Sequence, residues 1–212
     1  MTPLDEDRLR QQAERLTSAG LCDAMAARFD HRAHVIDLVS PAPGAVLFGP
    51  AATISFLPNR RDVHSGEGDR FDALLAEAAG RDADGRVLVL GSSGHPDEAL
   101  AGGKKVARVE AAGFSGLLAD GRLRDMEEIA EFELACYCWG ETVRAAGDRV
   151  TPFAANVPVV VDTVTVMPGD WVFADNAGAV VIPASAVSDI VEDARRIEER
   201  DAAAVKKIRS GR

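Results

Sequence analysis

Two short stretches of the chain carry residue types suited to holding an anion. The first is Gly102-Gly103-Lys104-Lys105, at the start of a helical pattern. Glycines let a ligand approach the backbone closely, and the free amides and dipole of a helix N-terminus favour negative charge. The second is Asp120-Gly121-Arg122-Leu123-Arg124-Asp125, just past a short apolar run. An arginine and an aspartate adjacent at a strand end can serve different ligands, the guanidinium gripping a carboxylate or carbonyl oxygen and the carboxylate holding a divalent cation. Magnesium keeps several of its waters, so one protein carboxylate plus substrate oxygens is enough. Taken singly, each stretch also has a plain reading as a turn, a surface ion pair or a helix cap.

Other chemistries find less support. His31, His34, His64 and His95 form no HExxH pair or similar arrangement on one helical face. The three cysteines are an odd number, against a disulfide framework. Cys136 and Cys138 are closer than the usual zinc pair, expected on opposite faces of a strand, and read as buried reduced thiols. Asp120, Asp170 and Asp175 sit in turn contexts and read as structural. The side chains of Lys104 and Lys105 read as a solvated helix face, with their backbone amides the relevant groups. Trp139 and Trp171 read as core or interface residues.

The elements that must position these residues follow from periodicity. Residues 4–19 read as an amino-terminal helix stopped by Gly20. Residues 44–57, with interior glycines and Pro50, read as one or two strands broken by a bulge or turn, and residues 59–69 as a polar loop. Residues 71–79 form a helix stopped by Gly80. Then come a strand at 87–90, a glycine-rich loop at 91–103, a helix at 104–112 and a strand at 115–119, which together make a βαβ unit. Such a unit is expected to hold a ligand beyond the carboxyl ends of its strands. Short strands are expected at 135–139, 157–161, 164–167, 171–174 and 179–182, in mostly antiparallel or mixed sheet. Val187, Ile190, Val191, Ala194, Ile197, Val205 and Ile208 recur at helical spacing on a long closing helix over residues 184–210. No repeat or linker interrupts the chain, so residues 1–212 read as one α/β domain.

Composition agrees with a globular chain and narrows its partners. The 212 residues are 47% hydrophobic, enough to bury a substantial core. Lys plus Arg is 24 against 34 Asp plus Glu, and the formal net charge of -10 argues against nucleic acid as a direct partner. An anionic substrate therefore needs a local positive site. There is no run of eighteen apolar residues and no apolar amino-terminal segment like a signal peptide, so no membrane association is expected and the expected location is cytoplasmic.

Gly103, twenty intervening residues, Arg124-Asp125, two more residues and Glu128 together resemble the G-x20-R-D-x2-E/D motif of the RraA-like family, which includes the 4-hydroxy-4-methyl-2-oxoglutarate aldolases. The resemblance extends over roughly residues 15–211. It takes in Cys22-Asp23-Ala24, Phe48-Gly49-Pro50-Ala51 with Thr53, the stretch from Gly113 to Gly121, Pro168-Gly169-Asp170 with Asp175, and a charged terminal helix ending near Gly211.

The resemblance implies a layered α/β/β sandwich with mixed sheets, like a swivelling domain. It also implies a pyruvate aldolase dependent on Mg2+, Mn2+ or another divalent cation, with oxaloacetate decarboxylase activity. The assembly would be a homotrimer or a homohexameric pair of trimers, with sites between subunits. Carried over by motif, Asp125 would coordinate the metal, Arg124 would contact the keto oxygen, and the amides of Lys104 and Lys105 beside Gly103 would hold the pyruvate carboxylate. Glu128 falls on the second acidic position. A carboxylate on the closing helix of a neighbouring subunit, Asp201 or else Glu199, would order metal-bound water. With no histidine in the motif, such a water or hydroxide is the expected base for aldol cleavage.

The chain departs from the family at Gly91, where relatives often carry aspartate, at Ala101, where a larger side chain is common, and at the two lysines. These departures bear on the aldehyde or ketone half of the substrate. The rival reading is a non-catalytic regulator that binds a ribonuclease, as some family members do. A methyltransferase reading lacks a methyl-donor site, since Gly91-Ser92-Ser93-Gly94 follows a strand without a GxGxG pattern.

Overall fold

The computed structural model describes residues 6–13, 15–60, 62, 70–144 and 149–211. Along the chain run α1 (Glu6–Ala13), α2 (Ser18–Ala26), β1 (His34–Val35), β2 (Leu47–Pro58), α3 (Phe71–Ala79), β3 (Val87–Gly91), β4 (Ala99–Ala101), α4 (Gly103–Ala111), β5 (Gly116–Ala119), β6 (Arg122–Leu123), α5 (Met126–Ile129), β7 (Ala135–Tyr137), β8 (Val150–Ala155), β9 (Val159–Val161), β10 (Val164–Val166), β11 (Trp171–Asp175), β12 (Gly178–Ile182) and α6 (Val187–Arg209). One mixed eight-stranded sheet has the order β1-β12-β11-β2-β3-β5-β7, with β8 paired to β2. Strands β2, β3, β5 and β7 run parallel to one another. Strands β1, β12, β11 and β8 pair antiparallel.

Side-chain alternation along these strands sorts the core into layers. Leu88, Leu90 and Leu117 face Phe71 and Leu74 of α3 and Val106 and Val109 of α4. Val87, Val89 and Leu118 point the other way, onto the valines of the antiparallel β9–β10 ribbon. Trp171, Phe173, Val180 and Ile182 turn toward apolar residues of α1, α2 and α6. Helices, sheet and ribbon thus form the expected α/β/β arrangement. At the end of β3 the ribbon presses so closely that a Cβ at Gly91 would lie 2.7 Å from the Cβ of Val159. Among the described residues no helix is long and apolar enough to cross a membrane.

Several boundaries differ from the sequence reading. The expected single amino-terminal helix is two helices, and Gly20 lies inside the second. The Thr17 hydroxyl caps α2 by accepting from the Gly20 amide at 3.1 Å. Asp175, from the far end of the chain, accepts from the Ser18 amide and hydroxyl at 2.9 and 2.7 Å. The region expected as one or two strands is a single long β2, whose register shifts between Ser55 and Phe56 against β8. The glycine-rich loop at 91–103 contains β4. Most of the polar loop at 59–69 lies outside the described residues. Cys136 and Cys138 share one apolar layer, as residues two apart on a strand must, rather than opposite faces.

Asp120 is only 6% exposed and ties four elements together. One carboxylate oxygen accepts from the Ser92 amide and hydroxyl at 3.2 and 2.6 Å. The other accepts from the Trp139 indole at 3.2 Å and the Asp162 amide at 3.0 Å. Truncation would leave the Ser92 amide and hydroxyl buried and unpaired and would release the Trp139 indole and the Asp162 amide to the neighbouring cleft. Asp120→Ala is therefore expected to lower the unfolding free energy by roughly 3 to 5 kcal/mol in a urea titration, and a loss below about 1 kcal/mol would contradict this role. Burial pushes the Cys136 thiol up to about 12. Iodoacetamide at pH 8 should accordingly leave Cys136 unlabelled in the native protein and label it after unfolding, read by peptide mass spectrometry.

Candidate functional site

The site depends on two strands too short to show a period. In the parallel β4–β6 pair, Ala99 stands opposite Arg122 and Ala101 opposite Leu123. The Arg124 amide extends this pairing by donating to the Ala101 carbonyl at 3.1 Å. The ribbon thus delivers Gly102 and Arg124 side by side: a Cβ at Gly102 would lie 3.2 Å from the Cβ of Arg124 and 3.0 Å from Oδ2 of Asp125.

The two sequence stretches meet here. Gly102 caps α4 and Gly103 is its first residue. The Gly103 amide donates to Oδ2 of Asp125 at 3.2 Å, so the aspartate sits on the helix N-terminus. Asp125 is exposed and adopts φ 63, ψ 41, a left-handed conformation uncommon for a residue with a side chain. The Glu128 carboxylate lies directly over Gly103, where an added Cβ would approach Oε2 to 2.4 Å. Arg124 is half-buried, and among the described residues its guanidinium makes no hydrogen bond or ion pair.

The lysines divide. The Lys105 amide closes the first helical turn on the Gly102 carbonyl at 2.9 Å. The Lys104 amide has no intramolecular acceptor among the described residues, which makes it the amide more open to an anion. The Lys104 side chain is exposed. The Lys105 ammonium instead lies 4.8 Å from the Phe71 ring centroid and 5.9 Å from that of Phe56, so it rests on aromatic faces rather than on a solvated helix face.

The donor set fits a hard cation in one specific way. Asp125 offers an exposed carboxylate with one oxygen engaged by an amide. Among the described residues no three His, Cys, Asp or Glu side chains group closely enough to hold a metal. The residues therefore suit a cation anchored by one carboxylate and completed by waters and ligand oxygens, and not a protein-built cage.

Asp201 and Glu199 stand apart from this cluster within the chain. They lie on the exposed distal half of α6, the helix that packs on α1 and α2. Asp201 pairs with Arg200 at 3.0 Å and Glu199 with Arg195 at 2.5 Å. The crevice beyond β3 and β5 is also separate: a cleft of about 580 Å³ there is lined by Ser93, Gly94, Pro96, Asp120 and Trp139, without Gly103, Arg124 or Asp125.

Two supporting carboxylates escaped the sequence reading. Glu98, 2% exposed at the entry to β4, takes Arg144 at 2.6 Å and Arg149 at 3.6 Å on one oxygen. Glu141 accepts from the Met126 amide at 3.1 Å, next to Asp125. Neither has a local sequence signal, because each acts on residues distant in the chain.

The RraA-like family model, described as Aldolase/RraA, matches residues 18–181, and the chain belongs to that family. Among curated relatives, proteins of Burkholderia mallei and Burkholderia pseudomallei provisionally named 4-hydroxy-4-methyl-2-oxoglutarate aldolase are 30% identical over 133 residues, covering 63% of this chain and 73% of theirs. Among solved structures, Streptomyces coelicolor RraAS2, described as an unusual member of the RNase ES inhibitor RraA protein family, superposes with a TM-score of 0.82 at 30% identity, over 94% of this chain and 98% of that one. An uncharacterized Pseudomonas syringae protein gives a TM-score of 0.82 at 26% identity, over 100% of this chain and 92% of its own.

Gly103→Ala forces the Glu128 carboxylate to swing aside. Because the far end of a flexible side chain moves, and alanine favours the helix, the unfolding free energy should stay within about 1 kcal/mol of wild type in a denaturant titration. A loss above about 2 kcal/mol would mean that Glu128 is held rigidly.

Proposed function

We propose that this chain is a divalent-metal-dependent pyruvate aldolase that cleaves 4-hydroxy-2-oxo acids and decarboxylates oxaloacetate. The observation that carries the reading is the convergence of the α4 N-terminus and the Asp125 carboxylate at a point where the backbone and Cβ of Arg124 stand beside Gly102. The aldolase names of the Burkholderia relatives support it.

Asp125 would hold the cation, Mg2+ or Mn2+, beside the keto oxygen of the substrate. The bound cation supplies Lewis acidity that makes negative charge on that oxygen tolerable. Arg124 would donate to the same oxygen, so that breaking the C3–C4 bond, or losing carbon dioxide from oxaloacetate, leaves electrons beside a fixed positive charge. The amides at the start of α4, with Lys104 foremost and Lys105 within the same turn, would take the substrate carboxylate, a local attraction that the chain's net charge of -10 otherwise opposes. Glu128, lying over Gly103, is a second carboxylate at this helix end beside that of Asp125.

The working unit in this reading is a homotrimer or a pair of trimers, with Asp201 or Glu199 reaching a neighbour's site. Support comes from α6: all described residues from 199 onward are exposed, including Val205 at 52% and Ile208 at 76%. The second reading, a regulator that binds a ribonuclease, is favoured by the likeness to RraAS2.

Pyruvate release from oxaloacetate or 4-hydroxy-4-methyl-2-oxoglutarate, coupled to lactate dehydrogenase, separates the two readings. Turnover should require Mg2+, vanish in Asp125→Ala with the fold retained, and fall about tenfold or more in Arg124→Lys, since an ammonium cannot reproduce the planar fork. Absence of metal-dependent pyruvate from either substrate would favour the regulator, and near-normal turnover in Arg124→Lys would remove the guanidinium from the keto oxygen.

A further inference from the structure

Asp125 holds a left-handed conformation, which aspartate adopts more readily than most residues with a side chain, as Asp37 and Asp162 also do here, but still at some cost. A left-handed residue with a Cβ costs on the order of 1 kcal/mol and persists only where its surroundings over-determine it. Three contacts do so around this residue. The preceding Arg124 amide is fixed on Ala101, and the Asp125 carbonyl accepts from the Ile129 amide at 3.0 Å. The following amide, that of Met126, opens the short α5 and so has no acceptor within the helix. Its acceptor is Oε1 of Glu141 at 3.1 Å.

Glu141 is launched from a fixed backbone. On one side of it the Gly140 carbonyl accepts from the Leu123 amide at 3.0 Å, and on the other the Thr142 amide donates to the Leu123 carbonyl at 3.0 Å. Its own carbonyl accepts from Arg122 at 3.4 Å. Residues 140–142 thereby form a third line beside β4 and β6, with the Glu141 carboxylate reaching the residue after Asp125.

We propose that Glu141 is a positioning residue for Asp125: by holding the Met126 amide it keeps Asp125 left-handed, with its carboxylate on the Gly103 amide. This rests on the metal-dependent reading above for its functional consequence, but not for its geometry. The hydrogen bond, rather than the charge, is the operative element. Glu141→Gln keeps an oxygen acceptor of the same reach, and Glu141→Ala removes it.

The test uses the full chain and two readouts besides turnover: amide exchange at Met126 followed by NMR, and Mn2+ affinity by electron paramagnetic resonance. Glu141→Ala, with a circular dichroism spectrum like that of wild type, should speed Met126 exchange about tenfold or more and weaken Mn2+ binding about tenfold, the scale typical of groups that orient a metal-binding side chain. Glu141→Gln should stay within about threefold of wild type in both. Unchanged exchange in Glu141→Ala, or Glu141→Gln as impaired as Glu141→Ala, overturns the proposal. A wild-type protein that neither binds Mn2+ nor releases pyruvate overturns the aldolase reading instead, while Met126 exchange still decides the role of Glu141.

Discussion

The parallel pairing of β4 with β6 is the constraint on which the site depends. Two residues of one strand and three of the other bring together segments some twenty positions apart and set the α4 N-terminus against Arg124-Asp125. Such a short ladder has little stability of its own, so its neighbours must supply it. Glu98 fastens its entry through Arg144 and Arg149, and residues 140–142 line its outer side. The interior between α4 and the sheet fills the space beneath it with Leu100, Leu123 and Val106, all fully buried. The candidate site residues are thus polar groups on a small platform whose rigidity is borrowed.

Carboxylates recur as the fasteners of this platform and of the sheet, buried at Glu98 and Asp120, half-buried at Asp175 and exposed at Glu141. Asp120 receives four hydrogen bonds with no cation beside it among the described residues, and Asp175 reaches across to start α2. In each case a side chain at a strand end satisfies backbone amides that would otherwise be left without partners, which is how loops of this length hold one conformation. Burial raises the affinity of the Asp170 carboxyl for its proton, an effect partly countered by the amides of Met167 and Ala184 that bond to it.

Much of this arrangement was legible in the residues themselves. The long periodic α6, the apolar β3 and β5, and α3 with Gly80 at its end each carry a local signature strong enough to survive tertiary packing. The meeting of Gly103 with Arg124 and Asp125 was legible through motif spacing, although spacing alone does not reveal the ribbon that causes it. Strands β4 and β6 were hidden because two or three residues cannot display a period. The division between α1 and α2 was hidden because Asp175, which steadies the start of the second helix, lies 157 positions away. Glu98 and Glu141 were hidden for the same reason: a carboxylate acting at long range looks in sequence like any solvated acid.

The close approach of Val159 to Gly91 limits which substitutions this part of the fold can accept. A carboxylate cannot be placed at the end of β3 by a single substitution, because the valine already occupies the volume that any side chain there would need. The two positions can only drift together, a smaller residue on the ribbon preceding a larger one on the strand.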